Sequence, residues 1–135
     1  MAGYSGTPLA RKLGIKDGFH LCVANAPADY VALLSPLPSG VTISTKGSKE
    51  IDLWHFFTIS AEELRRRLPV MMSQIKSDGM IWVSWPKRAS KVRTDVTEDL
   101  IRDVALPLGL VDIKVCAVDE VWSGLKLVIR KENRK

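Results

Sequence analysis

The chain alternates between short, almost continuously apolar runs and segments in which apolar residues recur every three or four positions. The first pattern is typical of strands buried in a sheet, and the second is typical of helices packed against one. The clearest strand signal is "IDLWHFFTI", which has one acid and one histidine among nine residues. Six runs predict strands, and they cover residues 19–27, 40–44, 51–59, 77–85, 110–120 and 125–131.

Helix signals lie between these runs. "GTPLARKLGI" predicts a short N-terminal helix, with Thr7 as N-cap, Pro8 at the first helical position and Gly14 as the stop. "PADYVALLSPL" predicts a second helix between the first two strands.

The third helix should follow the 51–59 run, because Ser60 and Glu63 have the spacing of a capping box. Its buried stripe is marked by apolar residues at helical spacing, namely Leu64, Leu68, Met71, Met72 and Ile75. Pro69 is expected to kink or split this helix at Leu68. "TDVTEDLIRDVALPLGL" predicts the last helix, with Asp95 and Glu98 at its positive end.

The resulting element order is β-α-β-β-α-β-α-β-β after the N-terminal helix. It predicts an α/β fold: one three-layer Rossmann-like domain over residues 1–135, with a mostly parallel six-stranded sheet and a C-terminal antiparallel hairpin. "VWSG" is assigned to the hairpin turn. Residues 1–14 form the N-terminal helix in this prediction, and residues 131–135 form a frayed basic tail.

Composition agrees with one globular domain. The 135 residues are 46% hydrophobic and 26% charged, and no apolar run approaches the roughly 20 residues of a membrane span. No signal-peptide pattern is visible, so we expect a cytoplasmic protein. The net charge of +5 favours anionic partners such as nucleotides or nucleic acid without choosing among them. Cys22 and Cys116 fall in strand-like runs and are expected to act as small buried hydrophobes.

Stretches of this sequence resemble two protein families. "DLWHFFTIS", "SDGMIWVSW", "LGLVDIKV" and the closing hairpin resemble the second half of a Rossmann-like class I methyltransferase, here truncated. That resemblance implies a sheet whose last strand inserts beside the fourth and runs antiparallel to it.

The whole chain is also similar to a family of small bacterial proteins known as a domain of unknown function. The stretches that carry this second resemblance are "GYSGTPLARKLGI", "WVSWPKRAS", "GLVDIKVCAVDE" and "WSGLKLV". It implies an intracellular bacterial protein and supplies no reaction.

The usual cofactor signature of such a frame is missing. An adenosylmethionine or dinucleotide site needs glycines after the first strand and an acid at the end of the second. The first strand runs into "ANAPADY", which has no glycine, and the second ends in "STKGSK", which has no acid. Asp29 lies near the first turn, which is the wrong place. We therefore predict no cofactor.

Ligands in a doubly wound sheet sit outside the carboxyl ends of the strands. The residues there mix cations, tryptophans and hydrogen-bonding groups, a mixture that suits an anionic or aromatic ligand. The candidate ligand-binding residues are Asn25, Ser60, Trp85, Lys87, Arg88, Arg93, Asp119, Trp122 and Ser123. Trp54 and Trp82 are predicted to lie in the core. Trp85 and Trp122 lie at strand ends, where they could face each other over the cleft, although core packing is the safer assumption for at least one of them.

Two basic clusters have competing interpretations. "PKRASKVR" carries four cations at residues 87–93, which could contact phosphates or form a solvated loop. Arg65, Arg66 and Arg67 are assigned to a solvated helix face. No helix-turn-helix or zinc-finger pattern accompanies either cluster.

The chain shows no catalytic or metal-binding pattern. His20 and His55 lie inside strands and lack partners at metal spacing, although they could in principle meet Cys22 and Cys116. Ser123 near Asp119 lacks a nucleophile elbow and a histidine at the same edge.

Three hypotheses remain open. The first is a non-enzymatic binding domain for an anionic ligand such as a nucleotide or nucleic acid. The second is a small-molecule enzyme that uses the carboxylates of Asp29, Asp119 or Glu120. The third is a structural or regulatory protein-interaction module.

Overall fold

The computed structural model describes residues 8–134, and it forms three layers. The helices are α1 (Leu9–Leu13), α2 (Tyr30–Leu34), α3 (Ala61–Gln74) and α4 (Glu98–Leu108). The strands are β1 (His20–Ala24), β2 (Thr42–Ser44), β3 (Ile51–Phe57), β4 (Ile75–Pro86), β5 (Leu110–Ala117) and β6 (Trp122–Ile129). Short 3₁₀ turns cover Arg88–Ser90 and Lys131–Asn133.

The sheet has the order β2-β1-β3-β4-β6-β5. β1 pairs in parallel with β2 and β3, β3 pairs in parallel with β4, and β6 is antiparallel to both β4 and β5. The predicted α/β fold is therefore confirmed, including the last strand inserted beside the fourth.

Each face of the sheet has its own apolar core. One core joins α3 and α4 to the sheet through residues such as Leu64, Met71, Ile101, Phe56 and Val83. The other joins α1 and α2 to the opposite face and is formed by Leu9, Leu13, Tyr30, Leu34, Leu21, Leu53, Phe57 and Trp82, among others. Because successive side chains of a strand point to opposite faces of the sheet, one apolar run contributes residues to both cores.

Pro69 does not split α3, which was one of the two outcomes predicted for it from the sequence. The helix continues from Ala61 to Gln74 with Pro69 inside it. Pro69 is exposed, and so is Arg65, whose carbonyl loses its helical partner, so water can reach that carbonyl. Leu68 and Met71 on either side are buried, and their packing holds the helix together.

The helix ends agree only in part with the sequence signals. The Ser60 hydroxyl accepts from the Glu63 amide (3.1 Å), and Gly14 ends α1 with φ of 85°, both as predicted. Asp95 does not serve α4, because its carboxylate accepts from the Ala61 amide (2.7 Å) at the start of α3. α4 is capped instead by the Thr97 hydroxyl.

The hairpin also differs from expectation, and the predictions at the chain termini are only partly covered by the described residues. The predicted N-cap, Thr7, lies outside the described residues. Trp122 and Ser123 belong to β6 and not to the hairpin turn, which covers residues 118–121. In the predicted tail, Lys131–Asn133 forms a 3₁₀ turn and the Arg134 guanidinium donates to the Ile129 carbonyl (2.8 Å). Fraying of residues 131–135 stays a prediction.

None of the helices within residues 8–134 has the length and apolar character to cross a membrane. Placement in the cytoplasm stays a prediction.

Candidate functional site

The ligand edge of the sheet is the one at which β1, β3 and β4 end. Because these strands are parallel, Asn25, Thr58 and Lys87 follow them at the same edge. The β5–β6 turn joins this edge, since Pro86 at the end of β4 pairs with Trp122 at the start of β6. The edge has two parts, which we call the β1–β3 crevice (Asn25, Phe57, Thr58, Ser60 and Glu63) and the β4 groove (Trp85, Arg88, Lys91 and their neighbours).

Side chains in the β1–β3 crevice bind one another. The Asn25 amide donates to the Phe57 carbonyl (2.9 Å) and lies 3.2 Å from both Glu63 carboxylate oxygens. The Thr58 hydroxyl donates to the same carboxylate (2.8 Å). The predicted ligand residues Asn25 and Ser60 are thus occupied by internal hydrogen bonds, because Ser60 caps α3.

The crevice does not fit adenosylmethionine or a dinucleotide. Asn25 adopts a φ of 60°, the left-handed conformation in which a cofactor loop would use glycine to bring its backbone close to the ligand. Its amide instead bridges the gap between β1 and β3. At the end of β2 the Ser44 hydroxyl lies against Cys22 Sγ (3.2 Å) and His20 Nε2 (3.0 Å), and Thr45 and Lys46 follow. No acid stands there to accept from a ribose.

Lys87 and Asp119 hold the hairpin turn against the end of β4. The Lys87 ammonium donates to the Asp119 carbonyl (2.7 Å), and the Lys87 amide donates to the Val121 carbonyl (2.7 Å). The Asp119 carboxylate accepts from the Val121 and Trp122 amides, both at 2.8 Å. These two predicted ligand residues therefore stabilise the loop junction.

The β4 groove is different, because its cations are exposed. It has a volume of about 420 Å³ and lies between the end of β4, the basic loop and the start of α4. Its lining consists of Trp85, Pro86, Arg88, Lys91, Val92, Thr94, Val96, Thr97 and Glu98. Arg88 and Lys91 are exposed, while Trp85 is half-buried against the α3–α4 core.

The loop around this groove has a defined shape. The Ser90 hydroxyl donates to the Lys87 carbonyl (2.6 Å), which closes the 3₁₀ turn. The Thr94 hydroxyl donates to the Ile59 carbonyl (2.9 Å), and Asp95 caps α3. The loop is thus attached at both ends, and its two central cations extend from a fixed backbone.

The acid in the groove is already paired. Glu98 bonds to the guanidinium of Arg102, which also reaches Asp112 (2.9 Å) and Asp99 (3.3 Å). The Arg102 hydrogen bond holds the pKa of Asp112 below its usual value. α4 is therefore anchored to β5 through Arg102, and the Glu98 charge is offset before any ligand arrives.

Trp85 and Trp122 do not face each other. Trp85 packs with the α3–α4 core, whereas Trp122 packs with the α1–α2 core, with its ring 5.1 Å from that of Phe57. The reason is strand pairing: Trp85 is paired with Ser123 and Pro86 with Trp122, so consecutive residues point to opposite faces. Arg93 is exposed but lies outside the lining of the groove. Of the predicted set, Trp85 and Arg88 share the groove.

The sequence reasoning missed a buried hydrogen-bonded chain beneath this edge. His55 is fully buried, and its two ring nitrogens lie 2.7 Å from the Tyr30 hydroxyl and 2.7 Å from the Ser84 hydroxyl. Burial lowers the pKa of His55 to about 3 and raises the pKa of Tyr30. Strand alternation could have placed His55 in the core beside Phe57, but not its partners, which are 25 and 29 residues away.

The other thiol and imidazole groups form no metal centre. His20 Nε2 lies 3.8 Å from Cys22 Sγ, and both contact Ser44. Cys116 is a free thiol on β5, separate from this group. Over residues 8–134, no three His, Cys, Asp or Glu side chains are placed to hold a metal ion.

Comparisons with solved structures define the class of this fold. Fibrillarin, a pre-rRNA processing protein of Methanococcus jannaschii, superposes with a TM-score of 0.61 over 92% of this chain and 69% of its own, at 7% identity. Magnesium protoporphyrin IX methyltransferase from Synechocystis PCC 6803, solved with bound SAM, gives 0.60 over 90% and 74%, at 11% identity. An S-adenosylmethionine-dependent methyltransferase from Clostridium acetobutylicum ATCC 824 gives 0.59 over 90% and 87%, at 8% identity.

The chain therefore has the Rossmann-like fold of the adenosylmethionine-dependent methyltransferases. At these identities the likeness concerns the fold alone. No family model matches the sequence, and a search of curated proteins found no match. The resemblance to a family of small bacterial proteins stays a prediction.

Proposed function

We propose that this protein is a non-enzymatic binding domain that takes the phosphate group of a nucleotide in the β4 groove. The observation that carries the proposal is the groove itself, in which exposed Arg88 and Lys91 lie beside the half-buried ring of Trp85. A guanidinium can bind phosphate through two parallel hydrogen bonds, and an indole face can stack on a base. The β4 groove has a volume of about 420 Å³, which suits a small ligand.

The β1–β3 crevice supports the same proposal, because its polar side chains are not available to a ligand. Its polar side chains are bonded to one another, so adenosylmethionine would have to break the contacts of Asn25 and Thr58 with Glu63. The methyltransferase frame is compatible with nucleoside ligands, since the Synechocystis neighbour was solved with bound SAM. We infer that the ligand site in this chain has moved along the edge from β1 to β4.

The enzyme hypothesis has less support. Asp29 and Glu120 are exposed, and Asp119 is bonded to two backbone amides. Glu98, the acid that lines the groove, is paired with Arg102. None of these carboxylates is placed as an available acid or base next to a ligand in the groove.

The test is isothermal titration of the protein with ATP, ADP, inorganic phosphate and adenosylmethionine. We expect ATP to bind, and the Arg88→Ala, Lys91→Ala double variant to lose about tenfold in affinity, or about 1.4 kcal/mol. The matched control is Arg65→Ala, Arg66→Ala, which removes the same charge from the exposed face of α3. Absence of nucleotide binding, or equal losses in both variants, would overturn the proposal. Tight binding of adenosylmethionine would overturn the inference that the ligand site has moved from the end of β1 to the end of β4.

A further inference from the structure

A second basic surface lies on the α1–α2 face of the sheet, away from the β4 groove. α1 and α2 pack over β1, β3 and β4, and Trp82 is anchored there by donating its indole N–H to the Leu13 carbonyl (2.9 Å). Further along the same face, β5 and β6 carry Lys114 and Lys126. We call Lys16, Lys114 and Lys126 the lysine face.

Strand register places two of these lysines side by side. Lys114 and Lys126 are direct partners in the antiparallel β5–β6 ladder, where facing side chains are about 5 Å apart. Lys126 is also the partner of Trp82 on β4, and the Lys114 ammonium lies 6.0 Å from the centre of the Trp82 ring. Both cations therefore project from the same side of the sheet.

Further positive charge converges from the end of α1. Burial lowers the pKa of Lys126, and the positive charges of Lys114 and Lys16 lower it further. Burial raises the pKa of the Cys116 thiol, and the charges of Lys12 and Lys114 oppose that rise. The surface thus gathers cations from α1, β5 and β6 around one thiol and one indole ring.

Within residues 8–134, Lys16, Lys114 and Lys126 form no ion pair with a carboxylate. Asp17 is next to Lys16 in the chain, but its carboxylate accepts from the Ser39 amide (3.1 Å). Like charges that face each other across a ladder destabilise a sheet. A bound polyanion would remove that repulsion.

We propose that the lysine face binds the sugar-phosphate backbone of a single-stranded nucleic acid. The cations are spread over two strands and a helix end, which matches a chain of successive phosphates. Trp82 is fully buried, so no base can stack on it, and the contacts would be independent of base sequence. Val115 is exposed and adjacent to Lys114 on β5, but it points to the other face of the sheet and so cannot anchor the lysine face in a membrane.

The test is fluorescence anisotropy of a labelled oligonucleotide of about 20 nucleotides, titrated at about 50 mM and about 200 mM salt. We expect Lys114→Gln, Lys126→Gln to weaken binding at least about tenfold at low salt, and to lower the slope of log affinity against log salt by about 1.4. Its thermal midpoint should not fall, because a like-charge pair is removed. The control, Lys46→Gln, Lys49→Gln, removes the same charge from an exposed loop and should bind as the parent does.

This proposal does not depend on the β4 groove. The Arg88→Ala, Lys91→Ala variant should retain its affinity for the oligonucleotide, and the lysine-face variant should retain its affinity for ATP. Failure of the oligonucleotide to bind, or an equal loss in the control variant, would overturn the proposal. Equal, lysine-dependent binding of poly-glutamate or of phosphatidylserine vesicles would overturn it in favour of another anionic partner.

Discussion

The ends of β3 and β4 are neighbours on one edge of the same sheet, yet their polar groups are in opposite situations. At the end of β3, Thr58 and Glu63 are bonded to each other and to Asn25. At the end of β4, Arg88 and Lys91 are exposed and make no ion pair within residues 8–134. Both places are candidate ligand sites by their position in the fold, but the polar groups at the end of β3 are bonded to one another and the cations at the end of β4 are exposed.

The largest expected effect comes from His55, which lies on β3 under this edge. Its pKa of about 3 in the folded state is below the unfolded value of about 6.5, so protons favour the unfolded chain. The contribution of neutral His55 to the unfolding free energy is fully present above about pH 6.5 and is lost as the pH falls toward about 3. Between pH 7 and pH 4.5 the loss of stability attributable to His55 is on the order of 3 kcal/mol, measurable by urea unfolding.

The chain has two histidines, which supplies the control. His55→Asn should flatten the dependence of unfolding free energy on pH, because it removes the buried imidazole. His20→Asn is the matched substitution at the other histidine. If His55→Asn does not fold, the His55 ring resonances of the parent protein decide the matter by NMR. Titration of that ring between pH 7.5 and pH 5 would contradict the assignment.

The next effect tests whether the β1–β3 crevice is structural. Glu63→Ala removes the acceptor of both Thr58, which is buried, and Asn25, and should cost about 2 kcal/mol in unfolding free energy. Glu63→Gln keeps an acceptor oxygen and should recover about half of that loss. A cost below about 0.5 kcal/mol for Glu63→Ala would mean that the crevice is as unconstrained as the β4 groove.

A sharper comparison uses two adjacent cations. Lys87→Ala breaks the bond to the Asp119 carbonyl and should cost about 1 kcal/mol in stability with no effect on ATP binding. Arg88→Ala should do the reverse, changing stability by less than about 0.5 kcal/mol and weakening ATP binding. Chemical denaturation and calorimetry on the same two variants measure both quantities. Equal changes in stability and in ATP affinity for the two variants would contradict the division of the basic loop into a structural cation, Lys87, and an exposed cation, Arg88.

The smallest effect is expected for Asn25→Gly. Glycine suits the φ of 60° but gives up the amide bonds to Phe57 and Glu63, so the net cost should be about 0.5 kcal/mol. Adenosylmethionine should still fail to raise the melting temperature, because the acid at the end of β2 remains absent. A clear rise in that temperature would show that Asn25 alone closes the crevice.

The sequence was sufficient for features set by neighbouring residues. The Ser60 cap, the Gly14 stop and the burial of Trp54 and Trp82 follow from local spacing and strand periodicity. The caps and the strand burial depend on short-range chemistry, and the structure confirms them. The order of the elements predicted an α/β sheet, and the methyltransferase resemblance implied that the last strand inserts beside the fourth; both are confirmed.

The rest depended on contacts between distant segments. Asp95 was expected to serve the helix that follows it, but the fold brings it to the start of α3, 34 residues earlier. Lys87 and Arg88 look equivalent in the sequence, and they differ because the hairpin turn supplies a carbonyl to Lys87 alone. The sequence could therefore place the candidate residues at one edge of the sheet, but it could not divide them into structural and exposed cations.

The distribution of the four tryptophans has an optical consequence. Trp54 and Trp82 are buried with their indole N–H groups bonded to Gln74 and to the Leu13 carbonyl, so their emission should be blue-shifted and insensitive to solutes. Trp122 lies on the far face of the sheet, against Phe57. Trp85 is the indole that lines the β4 groove. Quenching of the red edge of the emission spectrum on adding a nucleotide would thus report occupancy of that groove without any label.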